Sequence, residues 1–395
     1  MKDTAEKIGL SVAVVIGINA MIGAGIVAIP AFLSRQVGPA GVFSFAFSIF
    51  VVLCMSLSLA KLADRFPGDG WSYRYPQIWG GHKWGLFSAS SYLIGVMIAM
   101  GFLVQQAGVW AQNFFPNMSA ITIGGGVLII LTGLVLAGAE ASSWSQYVIA
   151  AIVVSALLVT VGICASQFDA ANLTPFLPGG IRSVFAAAPK AMFTLLGFES
   201  IASLYSIVRK PEKNIPIAGV LAVVFVGSLY LLFSGSILSA IPGENFVNGS
   251  DETLTTVINR VFPQFEFLSF LLLLGGLFAI IGTLHSMIWS CAVLLTDVLK
   301  KVQTPTVVNL LETGKWNATV SVLVTATVML LSALFLHSEL ILDLSVCLIA
   351  ITYISAMSLL FFYREFWASG RNILTLLAML GGVTLIYFSL QPWLF

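Results

Sequence analysis

The chain has 395 residues, of which 58% are hydrophobic and only 9% charged, and its mean hydropathy is +1.00. Soluble domains carry about 25% charged residues, so a water-covered fold is excluded and a polytopic membrane protein is implied. A net charge of +1 gives no bulk attraction to nucleic acid.

Met1 to Lys7 is polar, and the apolar run that follows is too long for the core of a signal peptide, so no cleavable leader is expected. A bilayer core takes about 20 apolar residues per helix. Eleven runs qualify: 8–34, 40–62, 84–113, 119–138, 145–166, 183–208, 216–241, 264–299, 317–336, 340–363 and 372–392. The eighth is longer than a bilayer needs and is expected to tilt or to project into the cytoplasm. Cys54, Cys164, Cys291 and Cys347 all lie in apolar runs, with no pairing or metal spacing, and read as small buried hydrophobes. The positive-inside rule then sets the orientation. With the N-terminus inside, fourteen of the eighteen basic residues fall in inner segments, while Arg35, Arg182 and Arg260 fall outside and Lys190 falls within a span. The odd number of spans puts the C-terminus outside.

Two spans carry their own breaking points. Gly23-Ala24-Gly25 lies near the centre of span 1, where each glycine weakens a helix by about 1 kcal/mol relative to alanine. Close packing through small residues is the ordinary explanation. Span 6 repeats the feature at 193–200, "FTLLGFES", with Gly197 at mid-span and Glu199 two residues on. Backbone can unwind inside a membrane only where it lines a cavity or is buried in protein. Matching interruptions five spans apart point to inverted repeats and to a binding site between them. Freed N–H groups suit a carboxylate and freed carbonyls an ammonium, a pair of demands that a zwitterionic amino acid meets.

These residues, with four further stretches, carry a resemblance. "IGAGI" (22–26), "PGDGWSYRY" (67–75), "GFES" (197–200), "RKPEKNIPIA" (209–218) and "IGTLHSMIWS" (281–290) stand in the order and at the topological places found in the amino acid–polyamine–organocation transporter superfamily. The resemblance covers spans 1 to 10. It implies an all-α membrane fold of the leucine-transporter type: a first inverted repeat over 1–166 (spans 1–5), a second over 183–363 (spans 6–10), and an extra eleventh span over 372–395. It implies alternating access, with substrate between spans 1, 3, 6, 8 and 10. Carried over by position, the substrate carboxylate meets the backbone of Gly23, Ala24 and Gly25, with Ile26 following. The amino group meets carbonyls of Met21, Phe193 and Leu196 beside Gly197, and the Phe193 ring takes the place of an aromatic gate. Three departures bear on coupling. A span 5 lysine of some proton-coupled relatives falls on Val153, the span 8 asparagine on His285 and the span 8 arginine on Ala292. A twelfth span is also not expected.

Ionisable residues inside spans are functional candidates by default. Glu199 is expected to serve proton coupling or gating; the alternative is a protonated acid bonded to backbone. His285 is expected to face the cavity, against the alternative of a core histidine. Lys190 is expected either to draw acidic substrates into an outer vestibule or to snorkel to the interface, and Asp343 to be interfacial. Met97, Met100 and Phe102 of span 3 are expected to border the side-chain pocket, or else simply to pack. Sodium held by Thr283 and Ser286 is the less favoured reading, because hydroxyls in spans bond the preceding turn. Residues 65–81 read as a structural or gating loop, and the basic run 209–213 as a cytoplasmic anchor.

An embedded enzyme would need paired aspartates, HExxH or a serine with a histidine base, and a channel would need a continuous polar lining. Neither is present in the sequence. The expectation is a secondary transporter of apolar or aromatic amino acids, as exchanger or proton-coupled, in a bacterial cytoplasmic membrane. Export or exchange of acidic amino acids or amines is the alternative. No cofactor or metal is expected. The partners are a small-molecule amino acid and the lipid bilayer, not nucleic acid.

Overall fold

A computed structural model describes residues 7–23, 25–68, 70–138, 143–204, 208–246, 254–302, 304–362 and 372–394. Among them the secondary structure is helical apart from one isolated parallel bridge, Ile8 to Val208. Fourteen α-helices follow in order: α1 Leu10–Met21, α2 Gly25–Gln36, α3 Gly41–Arg65, α4 Trp71–Ala111, α5 Ala120–Leu136, α6 Ser143–Ser166, α7 Gly180–Phe193, α8 Pro211–Ala240, α9 Leu254–Val261, α10 Glu266–Lys301, α11 Pro305–Glu312, α12 Ala318–Phe335, α13 Ser338–Phe362 and α14 Asn372–Leu394. A 3-10 segment, Phe198–Leu204, follows α7 after a four-residue interruption.

The eleven expected spans all find a helical counterpart among these elements. Span 1 is α1 plus α2, and span 6 is α7 plus the 3-10 segment. The others are α3, α4, α5, α6, α8, α10, α12, α13 and α14. Eight of the helices are long and apolar enough to cross a bilayer unaided, and α1 with α2, bent by 45°, makes a ninth span. The protein is an all-α integral membrane protein. Short polar side chains start some helices where the sequence offers them: the Ser119 Oγ accepts from Thr122 N at the head of α5, and Asn317 Oδ1 accepts from Val320 N at the head of α12.

Lipid tails are as apolar as leucine, so helices in a bilayer associate through close packing and hydrogen bonds rather than through the hydrophobic effect. The α4–α5 crossing shows this. A Cβ on Gly108 would stand 1.8 Å from the Ala120 carbonyl oxygen, and one on Gly124 would stand 2.1 Å from that of Val104. Only glycine permits so close an approach of two backbones.

Within the stretch 65–81, expected to be a loop, residues 71–80 are helical. Trp71 starts a helix that leaves the helical path at Gly81 (φ 79°, ψ 178°) before continuing as span 3. In the turns before that bend Trp71 and Tyr75 are buried, Trp71 against Tyr353 and Tyr75 against Phe66. At the same end, the Arg209 N–H donates to the Ile8 carbonyl at 2.9 Å, beside the Ile8–Val208 bridge. The starts of α1 and α8 are thereby joined at the end of the bundle where the basic residues gather.

Candidate functional site

Span 1 breaks because Ile22 adopts an extended backbone (φ −80°, ψ 93°) after α1. Span 6 breaks after Phe193, where three successive turns lead to Gly197 at φ +107°. That conformation is open to glycine and strained for other residues. The two breaks lie against each other. A Cβ on Gly25 would sit 3.0 Å from Thr194 Cγ2, and one on Gly197 would sit 2.3 Å from the Ala20 carbonyl oxygen. At Gly197 a side chain would have to part the two spans, whereas at Gly25 the Thr194 side chain would have to give by a few tenths of an ångström.

Around this junction the expected site residues divide. Gly23 opens towards Leu103 on α4 and Thr283 on α10, each 3.9 Å from a Cβ built there. Gly23 and Ile26 also line a small apolar cavity with Val153, Leu157 and Gly276. Phe193 is buried, with its ring edge-on to Phe102 at 5.3 Å between centroids. Met100 is buried one turn from Leu103 and so shares its face of α4. The Met21 carbonyl already has two donors: the Tyr230 hydroxyl at 3.0 Å and the Gly23 N–H at 3.0 Å. The Phe193 carbonyl accepts from Leu196 N at 3.2 Å. Ala24 lies outside the described residues.

Glu199 is buried, and both its oxygens are occupied. Oε1 accepts from the Tyr92 hydroxyl at 2.9 Å, and Oε2 accepts from the Gly197 N–H at 3.0 Å. The carboxylate thus caps the break of its own span and ties it to span 3. Aromatic rings enclose this pair. Trp71 packs edge-on to Tyr92 at 5.1 Å and stacks on Tyr353 at 5.5 Å, and Tyr353 leans on Phe198 at 5.2 Å.

Two expectations are corrected. Lys190 is 4% exposed and neither faces a vestibule nor snorkels; its Nζ lies 2.8 Å from each carboxylate oxygen of Asp343, which is 1% exposed. Asp343 is thus buried against Lys190 rather than exposed. A buried lysine is tolerated there because the Asp343 carboxylate offsets its charge. His285 does not share the face that meets the breaks. It lies two residues, or about 200° of helix, from Thr283, the side chain that does face Gly23. Its neighbours at four residues either way, Ile281 and Trp289, are 39% and 54% exposed. The motif placed His285 by position, whereas helix rotation turns it away.

Sequence reasoning left unassigned the parts played by Tyr92, Tyr230, Tyr353, Trp71 and Asp343. One signal was available. Lys190 is the one basic residue deep inside a span and Asp343 stands in another apolar run, and opposite charges so placed find one another inside a membrane. Thr283 is buried, faces Gly23, and its hydroxyl has no partner among the described residues.

Two broken helices meeting at their unwound backbones inside an all-helical bundle define a membrane carrier fold of the broken-span class. The chain belongs to the amino acid permease family: that family's model matches residues 8–394. It is 27% identical over 285 residues to an uncharacterized transporter of Mycobacterium tuberculosis, covering 71% of this chain and 64% of that one. It is 26% identical over 249 residues to the chloroplastic cationic amino acid transporter 9 of Arabidopsis thaliana, covering 57% and 44%. To the branched-chain amino acid permease of Bacillus subtilis it is 22% identical over 277 residues, covering 65% and 59%. The match spans less than two thirds of the length of these relatives.

Proposed function

We propose that this protein is a secondary transporter of amino acids that works by alternating access, with the substrate held between the breaks of spans 1 and 6. The observation that carries the reading is the contact between the two breaks, Gly25 against Thr194 and Gly197 against Ala20. Unwound backbone there leaves N–H groups next to the positive start of α2, which suits a carboxylate. The orphaned Thr283 hydroxyl, facing Gly23, is a further donor. Of the expected ammonium acceptors, Met21 and Phe193 already accept hydrogen bonds; a second lone pair on Phe193 and the Leu196 carbonyl are the better candidates.

The substrate side chain is apolar or aromatic. Leu103, Phe102, Phe193 and Met100 surround the junction, and Lys190, on which an acidic substrate would depend, is engaged by Asp343. The permease of Bacillus subtilis, whose name gives branched-chain amino acids, fits this class; the plant relative is named for cationic ones. Glu199 serves coupling or gating, since it joins span 6 to span 3 through Tyr92. The transporter works as an exchanger or with protons, in a bacterial cytoplasmic membrane, and the basic end of the bundle faces the cytoplasm with the N-terminus. Residues 1–166 and 183–363 are the two inverted halves, and 372–395 adds a span.

The test is uptake into proteoliposomes preloaded in turn with each of the twenty amino acids, with and without a pH or sodium gradient. Exchange of leucine, valine or phenylalanine above empty liposomes is expected. Failure of all twenty to move would end the proposal, and movement of only acidic or basic amino acids would overturn the substrate class.

A further inference from the structure

We propose that Lys190 and Asp343 form an ionic latch that holds shut the end of the bundle opposite the basic clusters, with Trp393 of the last span as its keeper. Lys190 lies in α7 one turn before the span 6 break, and Asp343 lies in α13. The ammonium sits 2.8 Å from both carboxylate oxygens. Trp393 Nε1 on α14 donates to Asp343 Oδ2 at 3.2 Å, and the Phe32 ring of α2 lies 5.4 Å from the Lys190 ammonium. Four spans therefore converge on one buried charge pair, including the far halves of both broken spans.

A fold that needed only a static joint there would gain as much from apolar side chains, because desolvation offsets most of the attraction in a buried pair. What an ion pair adds is a steep dependence on geometry and water. In a dry, low-dielectric setting the attraction is strong, and once parted and hydrated it nearly vanishes. Such a contact favours two states, closed and open, over gradual yielding. α7 leads from the span 6 break towards this end of the bundle and packs against α13, so a passage opening between those two helices breaks the pair. That step rests on the reading of the breaks as the substrate site. At the other end, the broken spans are joined by backbone instead, through the Ile8–Val208 bridge and the Arg209–Ile8 hydrogen bond.

The experiment uses the full chain in proteoliposomes, with Phe193→Cys as an accessibility reporter and a membrane-impermeant cationic methanethiosulfonate as the probe. The four native cysteines are buried, and the parent without the reporter supplies the background. The neutral double variant K190A/D343A, which removes the pair without putting packed apolar side chains in its place, is expected to raise the labelling rate of F193C about tenfold, as a minor open state becomes a major one. W393F, which keeps the ring and both charges but loses the N–H, is expected to give a smaller rise. A labelling rate with K190A/D343A within about twofold of that of F193C alone overturns the latch. If the double variant fails to insert, W393F decides alone, and an unchanged rate there overturns the proposal. No substrate enters the readout, so failure of the uptake panel and failure of the latch are separate results.

Discussion

Replacing Gly197 by alanine tests the junction of the two breaks. Its φ of +107° is a conformation that costs a residue with a side chain about 1–3 kcal/mol. Space adds to that strain. The new methyl carbon would lie 2.3 Å from the Ala20 carbonyl oxygen and 2.6 Å from its carbon, both rigid backbone atoms. Carbon and carbonyl oxygen settle no closer than about 3.3 Å, so spans 1 and 6 must part by roughly 1 Å. A misplacement of that size at a reacting or binding centre costs about a hundredfold. G197A is therefore expected to insert normally, to lose thermal stability in detergent, and to transport the amino acid found in the uptake panel about a hundredfold less well. The control is Gly126→Ala on α5, where an added Cβ meets nothing within 4 Å. Alanine there is expected to be neutral or to stabilise by up to about 1 kcal/mol. If G197A melts and transports like the parent while G126A does the same, the two breaks do not bear on one another and the reasoning fails.

Glu199→Gln keeps the shape of the side chain: its oxygen can still accept from the Gly197 N–H, while its NH2 donates to the Tyr92 hydroxyl, which accepts instead of donating. A loss of about 1 kcal/mol or less in stability follows, and the pH dependence of transport should flatten; a pH profile unchanged from the parent removes Glu199 from coupling. Tyr230→Phe takes the hydroxyl from the Met21 carbonyl and is expected to cost about 1 kcal/mol, read as a lower melting temperature in detergent. An unaltered melt would show that this hydrogen bond does not hold the span 1 break. Lys190→Met alone leaves Asp343 as an uncompensated buried charge and should destabilise by about 3–5 kcal/mol, whereas K190M/D343L should recover most of that loss. Equal stability of single and double variants would argue against a buried ion pair.

The broken spans were legible because glycine is a local requirement. Gly23, Gly25 and Gly197 stand where the helix must end, and a run such as 183–208 announces a span whatever lies beside it. Helix limits followed closely: the run 40–62 became Gly41–Arg65 and 340–363 became Ser338–Phe362. The aromatic enclosure of Glu199 was not legible, because Trp71 reaches Tyr353 only after α4 bends at Gly81.

The amino-acid sequence by itself determined that the chain lies in a membrane, which runs become helices there and where two of them break. Hydrophobicity, run length and glycine placement act over a few residues, so they can be read in order along the chain. The tertiary structure alone decided which faces meet. Lys190 finds Asp343 across 153 residues, Tyr92 finds Glu199 across 107, and His285 turns away from the face that Thr283 shows to Gly23. In a soluble helix an apolar stripe would mark the inward face. In a bilayer both faces are apolar, so rotation is set by close contacts between distant spans that no local pattern records.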